Sequence, residues 1–557
     1  MSQEPSSRFA RWRSSTLAPF EHRVFALFWW ATLVSSFGSL IQSVGASWLM
    51  ATIEHSAESV ALVQTAGTLP FFFLSIVAGA LADTNDRRLL MLVSQSVMFV
   101  ASVLLAGLTW FGVTTPLLLL GMTFILGCGS ASFAPAWQSS IGDQVPRAQV
   151  PAAIMANAMG FNLARSVGPA IGGVIVAALG AVMAFVINAI SYLGMLATLL
   201  WWKPPRTKSV LPPESLGTAI LAGVRYVRLS PDLLAIYLRC VMFTVPFSAV
   251  NALMPVVARD LLGGTAQTFG LLLGGFGVGA MCGALSSGAL RQRFPVDRLL
   301  RGVVLVAAIS LTAIALSPWA ITIFLAHVLA GAMWTMGLAN FNIAVQMSSP
   351  RWVMGRTLAT YQTFAFAGMA VGAWIWGRCA SVFGVREALG FAACACLVAF
   401  AVAHWVRMRV ASVGALDPHV VGEVAEPKYP LHPASGPISV HIEYTVPEQH
   451  AREFIAVVNE LGRIRRRDGA FNWSVAQDID RPEQWIEQFE SPTWIDYLRR
   501  QTRPTLADAS VRERLRSLIS GERGSVRRFI ERPTGAEPLG PDSSHVEPRE
   551  DYSASTS

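Results

Sequence analysis

Charge is what this sequence has least of. Only 14% of its 557 residues are Asp, Glu, Lys or Arg, where a soluble protein of this size carries about 25%. With 53% hydrophobic residues and a mean hydropathy of +0.47, that shortage excludes a disordered chain and a string of ordinary soluble domains. Cysteine is scarce too. Cys128, Cys240, Cys282, Cys379, Cys394 and Cys396 lie in apolar stretches without CxxC spacing. They read as small packing residues, not as a disulfide framework or a zinc site. There is no P-loop, dinucleotide fingerprint or nucleophile motif. No catalytic residue, metal ligand or cofactor is therefore expected. Met1 to Arg23 is polar and lacks the short apolar core of a removable signal peptide.

The few charges are unevenly placed. Residues 1–410 hold 25 Lys and Arg against 12 Asp and Glu, a net +13. Residues 411–557 hold the remaining 18 and 23, a net −5. A nucleic-acid-binding surface is not built this way. A membrane region followed by a soluble domain is.

A helix needs about 20 apolar residues to cross the hydrocarbon core. Twelve stretches qualify: 24–50, 58–82, 88–110, 115–140, 151–178 and 181–202, then 233–257, 265–290, 298–317, 319–346, 355–380 and 386–409. Twenty Lys and Arg flank one set of span ends, from Arg8 to Arg409, and three flank the other, Arg259, Arg378 and Arg386. The positive-inside rule then places both termini in the cytoplasm. The expected organisation is a cytoplasmic segment 1–23, a six-helix half 24–202, a cytoplasmic loop 203–232, a second half 233–410, a proline-bearing linker 411–437, a soluble domain 438–532 and a disordered end 533–557. Leu216–Leu229 has the spacing of an amphipathic surface helix.

The halves repeat. Gly79-Ala80-Leu81 is matched 209 residues later by Gly288-Ala289-Leu290, and the two run on to the similar ends Asp86-Arg87-Arg88-Leu89-Leu90 and Asp297-Arg298-Leu299-Leu300. Gly168-Pro169-Ala170-Ile171-Gly172-Gly173 is matched 200 residues later by Gly368-Met369-Ala370-Val371-Gly372-Ala373. Two similar six-span halves are the plan of a secondary transporter that holds its substrate between them near the midplane.

On these residues the chain resembles the major facilitator superfamily. Gly79, Asp83, Arg87 and Arg88 match its loop motif, with Thr84 and Asp86 departing from it. Gly168, Pro169, Gly172 and Gly173 resemble the core of the fifth-helix motif of export antiporters, without its upstream glycines. Asn162-Leu163-Ala164-Arg165 before that motif resembles the branch holding the enterobactin exporter and the transmembrane secretion effectors. The resemblance implies an all-α membrane protein with twelve transmembrane helices in two halves. It also implies export of a siderophore, drug or secondary metabolite by alternating access, with protons as the coupling ion, and a gating role for Asp83 at the cytoplasmic end.

Arg165 is the sharpest residue. It falls near the middle of the fifth span, where a cation costs about 2.5–3.5 kcal/mol on insertion scales. It must face a cavity or a partner, as a contact for an anionic substrate or as interhelical glue. Arg239, nearer a helix end, is expected to snorkel to the interface. Gln42, Asn157, Asn162, Asn340, Tyr361 and Gln362 are the other candidates for lining the pathway; interhelical bonding is the plainer reading of each. Trp334 is a candidate for stacking a flat substrate or for interface anchoring. No Asp or Glu lies at mid-membrane depth, which leaves a proton relay to end-located carboxylates or His327.

In the tail, apolar periodicities read β-α-β-β-α-β: strands from Ile438, Phe471, Trp485 and Val526, and helices at 451–461 and 493–519. That order is ferredoxin-like and resembles the antibiotic-biosynthesis monooxygenase domains. Asn472 and Trp473 are the residues to test for chemistry. Arg463, Arg465, Arg466 and Arg467 read as a solvated basic face, alternatively one that touches lipid headgroups. The expected partners are a small-molecule substrate and the lipid bilayer of a plasma membrane, with no nucleic acid. The chain is expected to be a monomer or a weak homodimer through the tail. The alternative function is a membrane-anchored enzyme or regulator, in which the tail acts on a metabolite or mediates dimerisation.

Overall fold

The computed structural model describes residues 18–531, apart from 55, 85, 147–148, 204–215, 351, 409–430, 502 and 521–524. Residues 1–17 of the expected N-terminal segment, much of the linker and the expected disordered end lie outside the described residues.

The helices are α1 (Arg23–Ile53), α2 (Ala57–Thr84), α3 (Arg87–Trp110), α4 (Pro116–Ser140), α5 (Val150–Trp201), α6 (Leu216–Arg228), α7 (Pro231–Val256), α8 (Ala266–Arg293), α9 (Val296–Leu316), α10 (Ala320–Met347), α11 (Met354–Phe383) and α12 (Val385–Trp405). Among the described residues, eleven helices are long and apolar enough to cross a membrane; the short α6 is not among them. Their outer faces carry large apolar side chains such as Leu117, Leu285 and Trp405, each more than three-quarters exposed. A protein surrounded by water does not leave so much apolar surface open.

Local chemistry sets the ends. Asp86 caps α3 by accepting from the Arg88 and Leu89 amides at 2.9 and 3.4 Å, which is what an Asp at this position is suited to do. Thr115 caps α4 ahead of Pro116 at its first position. α5 is 52 residues long and would measure about 78 Å if straight. Instead Gly180 breaks it with φ +80 and ψ 171, a conformation that only glycine adopts without strain. The sequence places the fifth and sixth spans on its two sides.

The chain divides into two compact units. The first comprises residues 1–216, 235–344 and 358–409. The second comprises residues 217–234, 345–357 and 410–557. The second unit therefore contains α6 and the connection from α10 to α11 as well as the tail.

In the tail the order is β1 (Ile438–Thr445), α13 (Ala451–Asp468), β2 (Phe471–Gln477), β3 (Gln484–Ser491), α14 (Trp494–Gln501), α15 (Leu506–Leu518) and β4 (Val526–Ile530). The strands form one antiparallel sheet in the order β2-β3-β1-β4. Val440 of β1 sits opposite Phe489 of β3. Tyr444, Phe454, Val458, Leu461, Trp485 and Leu515 form the core beneath α13 and α15. The single helix expected over 493–519 is two. Pro504 disfavours helical backbone at the residue before it, and Thr505 and Asp508 then form a capping box that starts α15.

Candidate functional site

The fifth-helix motif lies where helices approach most closely. A Cβ on Gly168 would sit 3.1 Å from Leu40 side-chain atoms, and one on Gly172 would sit 3.0 Å from Ile41 Cα. These glycines seat α5 on α1. Gly173 faces the other half: a Cβ on Gly270 of α8 would lie 2.9 Å from Gly173 Cα. The repeat-related Gly368 and Gly372 seat α11 against Thr244, Val245 and Ser248 of α7. Ala373 packs with Ala61 of α2 and Ala252 of α7. Two seams thus join the halves, α5 with α8 and α2 with α11, both lined by residues small enough for backbones to meet.

Arg165 sits on this inter-half boundary. Its guanidinium lies 5.6 Å from the Trp334 ring centroid on α10 and within electrostatic reach of Tyr361 on α11. Trp334 belongs to an aromatic group with Phe243, Phe247 and Phe341 in the second half. Tyr361 donates to the Leu338 carbonyl at 3.0 Å. Among the described residues, no carboxylate forms an ion pair with Arg165. A first-half cation is therefore set against second-half aromatic faces.

The other pathway candidates divide. Asn157 is half-buried on α5, and its Nδ2 has no hydrogen-bond partner among the described residues. Gln362 is half-buried on α11 beside Tyr361. Gln42 is buried within the first half. It accepts from Ser102 Oγ at 2.8 Å and from Asn188 Nδ2, and Asn188 also reaches Tyr192. Asn340 is buried in the second half, donating to Ser287 Oγ at 3.1 Å and to the Met336 carbonyl at 2.7 Å. Asn162 is on α5, but its side chain lies outside the described residues. His327 is fully buried, with Nδ1 2.8 Å from the Ile323 carbonyl and Nε2 unpartnered among the described residues.

At the end of the bundle by the α1–α2 turn, polar bonds cross between halves. Glu58 of α2 pairs with Arg378 of α11 at 3.1 Å. The Glu58 amide donates to Ser381 Oγ at 2.9 Å. Arg259, on the π-turn that follows α7, donates to the Ala51 carbonyl at 2.7 Å. Nearer mid-bundle, Thr65 donates to the Ala370 carbonyl at 2.9 Å, and Phe71 stacks on Phe366. A cavity of about 580 Å³ opens beside this end, with Ser56, Ala57, Asp260, Ser381 and Glu387 on its wall. Sequence separation hid all of this, since Glu58 and Arg378 are 320 residues apart.

At the opposite end, among the described residues of the loop motif and its repeat, the ion pairs Arg87–Asp143, Arg239–Asp297 and Arg301–Asp297 each join residues of one half. Arg87 pairs with Asp143 at 3.2 Å. Arg88 donates to the Leu199 and Leu200 carbonyls at 2.7 and 2.8 Å, closing the end of α5. Gly79 and Asp83 lie on α2 where side chains are outside the described residues. In the second half, Asp297 holds both Arg239 and Arg301 and accepts from the Met408 amide. Arg239 does not snorkel to the interface as expected. It is 4% exposed and faces Asp297.

The basic run of the tail is likewise not a solvated face throughout. Arg465 is bound to the buried Glu487 at 2.5 and 3.0 Å, and Tyr444 and Trp473 donate to the same carboxylate. Burial alone would raise the Glu487 pKa; the Arg465 charge together with the hydrogen bonds from Arg465, Trp473 and Tyr444 outweighs it and holds the carboxyl below its ordinary value. Arg467 Nη2 donates to both carboxylate oxygens of Asp508 at 3.1 and 2.9 Å. Arg463 and Arg466 remain exposed. Arg500 is buried against Phe489 and Tyr497. Burial pulls its pKa down to about 9. Asn472 adopts φ +48 and donates to Glu490 at 3.0 Å.

A family model for transmembrane secretion effectors, of the major facilitator type, matches residues 14–534, the tail included. The staphyloferrin A transporter of Staphylococcus aureus is 26% identical over 251 residues, 44% of this chain and 62% of that one. The multidrug efflux pump Tap of Mycobacterium tuberculosis is 26% identical over 373 residues, 64% of this chain and 87% of the pump. The inward-facing, unoccupied crystal structure of a bacterial homologue of the human lysosomal transporter Spinster superposes with a TM-score of 0.58 at 16% identity, covering 70% of this chain and 97% of that one. That likeness is one of fold. The chain belongs to the transmembrane secretion effector family of major facilitator transporters, and is a multi-pass membrane protein of that transporter family rather than an enzyme.

Proposed function

We propose that this protein exports a small anionic or amphipathic organic compound across a bacterial-type plasma membrane by alternating access. The observation that carries the reading is Arg165, a cation without a carboxylate partner among the described residues, set on the inter-half boundary against Trp334 and Tyr361. A buried charge is retained where something compensates it, and a carboxylate or phenolate cargo supplies that compensation transiently. Asn157 and Gln362 join Arg165 and Tyr361 in the proposed pathway, with Asn162 beside them in sequence. The bonding of Gln42 and Asn340 favours interhelical roles. The names of the relatives, a siderophore transporter and a drug efflux pump, point to the same size of cargo.

The remaining assignments rest on the same plan. α5 crosses twice, breaking at Gly180, so that two halves of six spans result. The Lys and Arg excess puts both termini and α6 in the cytoplasm, and the Glu58–Arg378 end outside. The bonds that tie the halves together there fit a state closed to the outside. Gly79, Asp83, Arg87 and Arg88 form the cytoplasmic gating loop. Protons are the proposed coupling ion. The strand order of the tail fits a ferredoxin-like domain.

The test is uptake into inverted membrane vesicles energised with a proton gradient, using a carboxylate siderophore and a cationic dye in parallel. Gradient-driven uptake of the carboxylate, competed by other organic anions and lost with Arg165→Gln, is the expected result. Uptake of the dye alone, or carboxylate uptake indifferent to Arg165→Gln, overturns the anionic reading.

A further inference from the structure

The tail does more in this structure than follow the last helix. Its second unit includes α6, which connects the two six-span halves, and residues 345–357, which connect α10 to α11. Four side chains bring these segments and the tail together. Arg467, at the end of α13, lies 5.2 Å from the Tyr226 ring of α6. Arg503, ahead of α15, lies 4.3 Å from the Trp352 ring of the α10–α11 connection. Tyr226 and Trp352 meet edge to face at 5.4 Å. Two arginines of the tail therefore close on an aromatic pair built from two separate connections.

The surroundings hold that arrangement in place. Asp508 fixes the Arg467 guanidinium through two bonds, and the Asp468 carbonyl accepts from Arg503. Arg225 of α6 approaches the same turn: a Cβ on Gly469 would lie 3.1 Å from its Nη2 and 3.2 Å from Arg503 Nη1. Asp496 and Asp468 supply the negative charge that favours Arg225 there. Tyr226 and Val353 are buried. Among the described residues, what joins these segments is two cation–π contacts and one edge-to-face aromatic pair, with Arg225 within electrostatic reach of Asp496 and Asp468. Interfaces of this kind join domains that separate and re-form.

We propose that the tail is a releasable restraint on the transport cycle, gripping the α6 connector and the α10–α11 connection through Arg467, Arg503, Tyr226 and Trp352. It rests on the two-half reading above. Alternation moves one half against the other, and the connector between them must adjust with each turnover. A folded domain that ties the connector to a second loop opposes that adjustment. Loosening the grip frees it, and the cycle runs faster.

The test uses the full chain in proteoliposomes and needs no cargo. Ala57→Cys, at the end where Glu58 meets Arg378, reports opening through its labelling rate with a membrane-impermeant maleimide, read against the parent chain. Two double variants release the grip from opposite sides: Arg467→Gln with Arg503→Gln in the tail, and Tyr226→Ala with Trp352→Ala in the connections. The second pair leaves every tail side chain in place. Labelling about fivefold faster in both is expected, the loss of two cation–π contacts. Unchanged or slower labelling in the connection variant overturns the proposal. Arg378→Ala serves as the reference for the seam itself. If it speeds labelling and the release variants do not, the restraint alone fails; if none of them does, the two-half reading fails with it.

Discussion

Gly168 and Gly172 seat α5 on α1 in the first half, and Gly368 and Gly372 seat α11 on α7 in the second. The charges do not repeat in the same way. The offset of 200 that relates these glycines carries Arg165 to Ala365, a buried apolar residue. The same offset carries Gly173, which faces Gly270, to Ala373, which packs with Ala61. Duplication preserves what every half needs in order to pack. What appears in one half only answers to something the scaffold does not require, and Arg165 is the clearest instance.

Gly173 gives the largest effect. Its seam has backbone against backbone, so Gly173→Val has no side chain to displace. Overpacking of this kind costs about 1–3 kcal/mol or more, and in the proposed alternating access the halves part at this seam. Transport is expected to be lost, with reduced protein in the membrane. Ala373→Val on the related seam adds two methyls where a Cβ already packs on the Ala61 and Ala252 methyls, and retains measurable transport. Equal loss in the two would break the distinction between the seams.

Arg165→Gln comes next. Losing one hydrogen bond to a charged group costs about 2 kcal/mol, roughly a thirtyfold rise in the half-saturating concentration of an anionic cargo. The variant should fold as well as the parent, because a membrane-centre cation is a burden to insertion. Arg165→Gln with Ala365→Arg places the cation at the related position and should not restore transport. Restoration would show that the halves are interchangeable in function, against the comparison.

These differences bear on what can be read from a chain alone. Helix ends were legible to within a few residues, except that the expected fifth and sixth spans share one 52-residue helix, because about 20 apolar residues between Arg-bearing ends leave little choice. The repeat was legible because small residues at close crossings are kept in order. Pairings were not. Arg239 reads as a snorkelling cation until Asp297, 58 residues away, is folded against it. Arg465 and Arg467 read as a solvated face until Glu487 and Asp508 arrive from β3 and α15. Asp86 reads as a departure from the loop motif; in the structure it is the N-cap of α3. An ion pair is a property of two distant positions, and no periodicity announces it.

Gly172→Ala and Gly372→Ala should both destabilise, the second more. A Cβ on Gly172 would sit 3.0 Å from Ile41 Cα, whereas one on Gly372 would press closer still on the Val245 carbonyl oxygen, a backbone atom that cannot turn aside. Overpacking costs about 1–3 kcal/mol, so thermal unfolding in detergent should fall in both variants and further in Gly372→Ala. A larger fall in Gly172→Ala would mean that the two crossings do not differ in this way.

The smallest effect is expected at Glu58 and Arg378, and it separates the seams again. The offset of 209 carries Glu58 to Gln267, and the offset of 200 carries Arg378 back to Ala178, so the α5–α8 seam holds no such pair. Arg378 is 62% exposed, and an ion pair open to water is worth about 0.2–1 kcal/mol. Glu58→Gln should therefore shift the population open at that end by about twofold to fivefold, measured as maleimide labelling of Ala57→Cys. Gln267→Ala on the other seam should leave that labelling unchanged. Added salt should reduce the difference between parent and Glu58→Gln, because screening weakens exposed pairs first. A Glu58→Gln chain that labels at the parent rate at low salt would assign the closure of this end to the Arg259–Ala51 and Ser381–Glu58 backbone bonds. It would leave the two seams alike in lacking a charged latch.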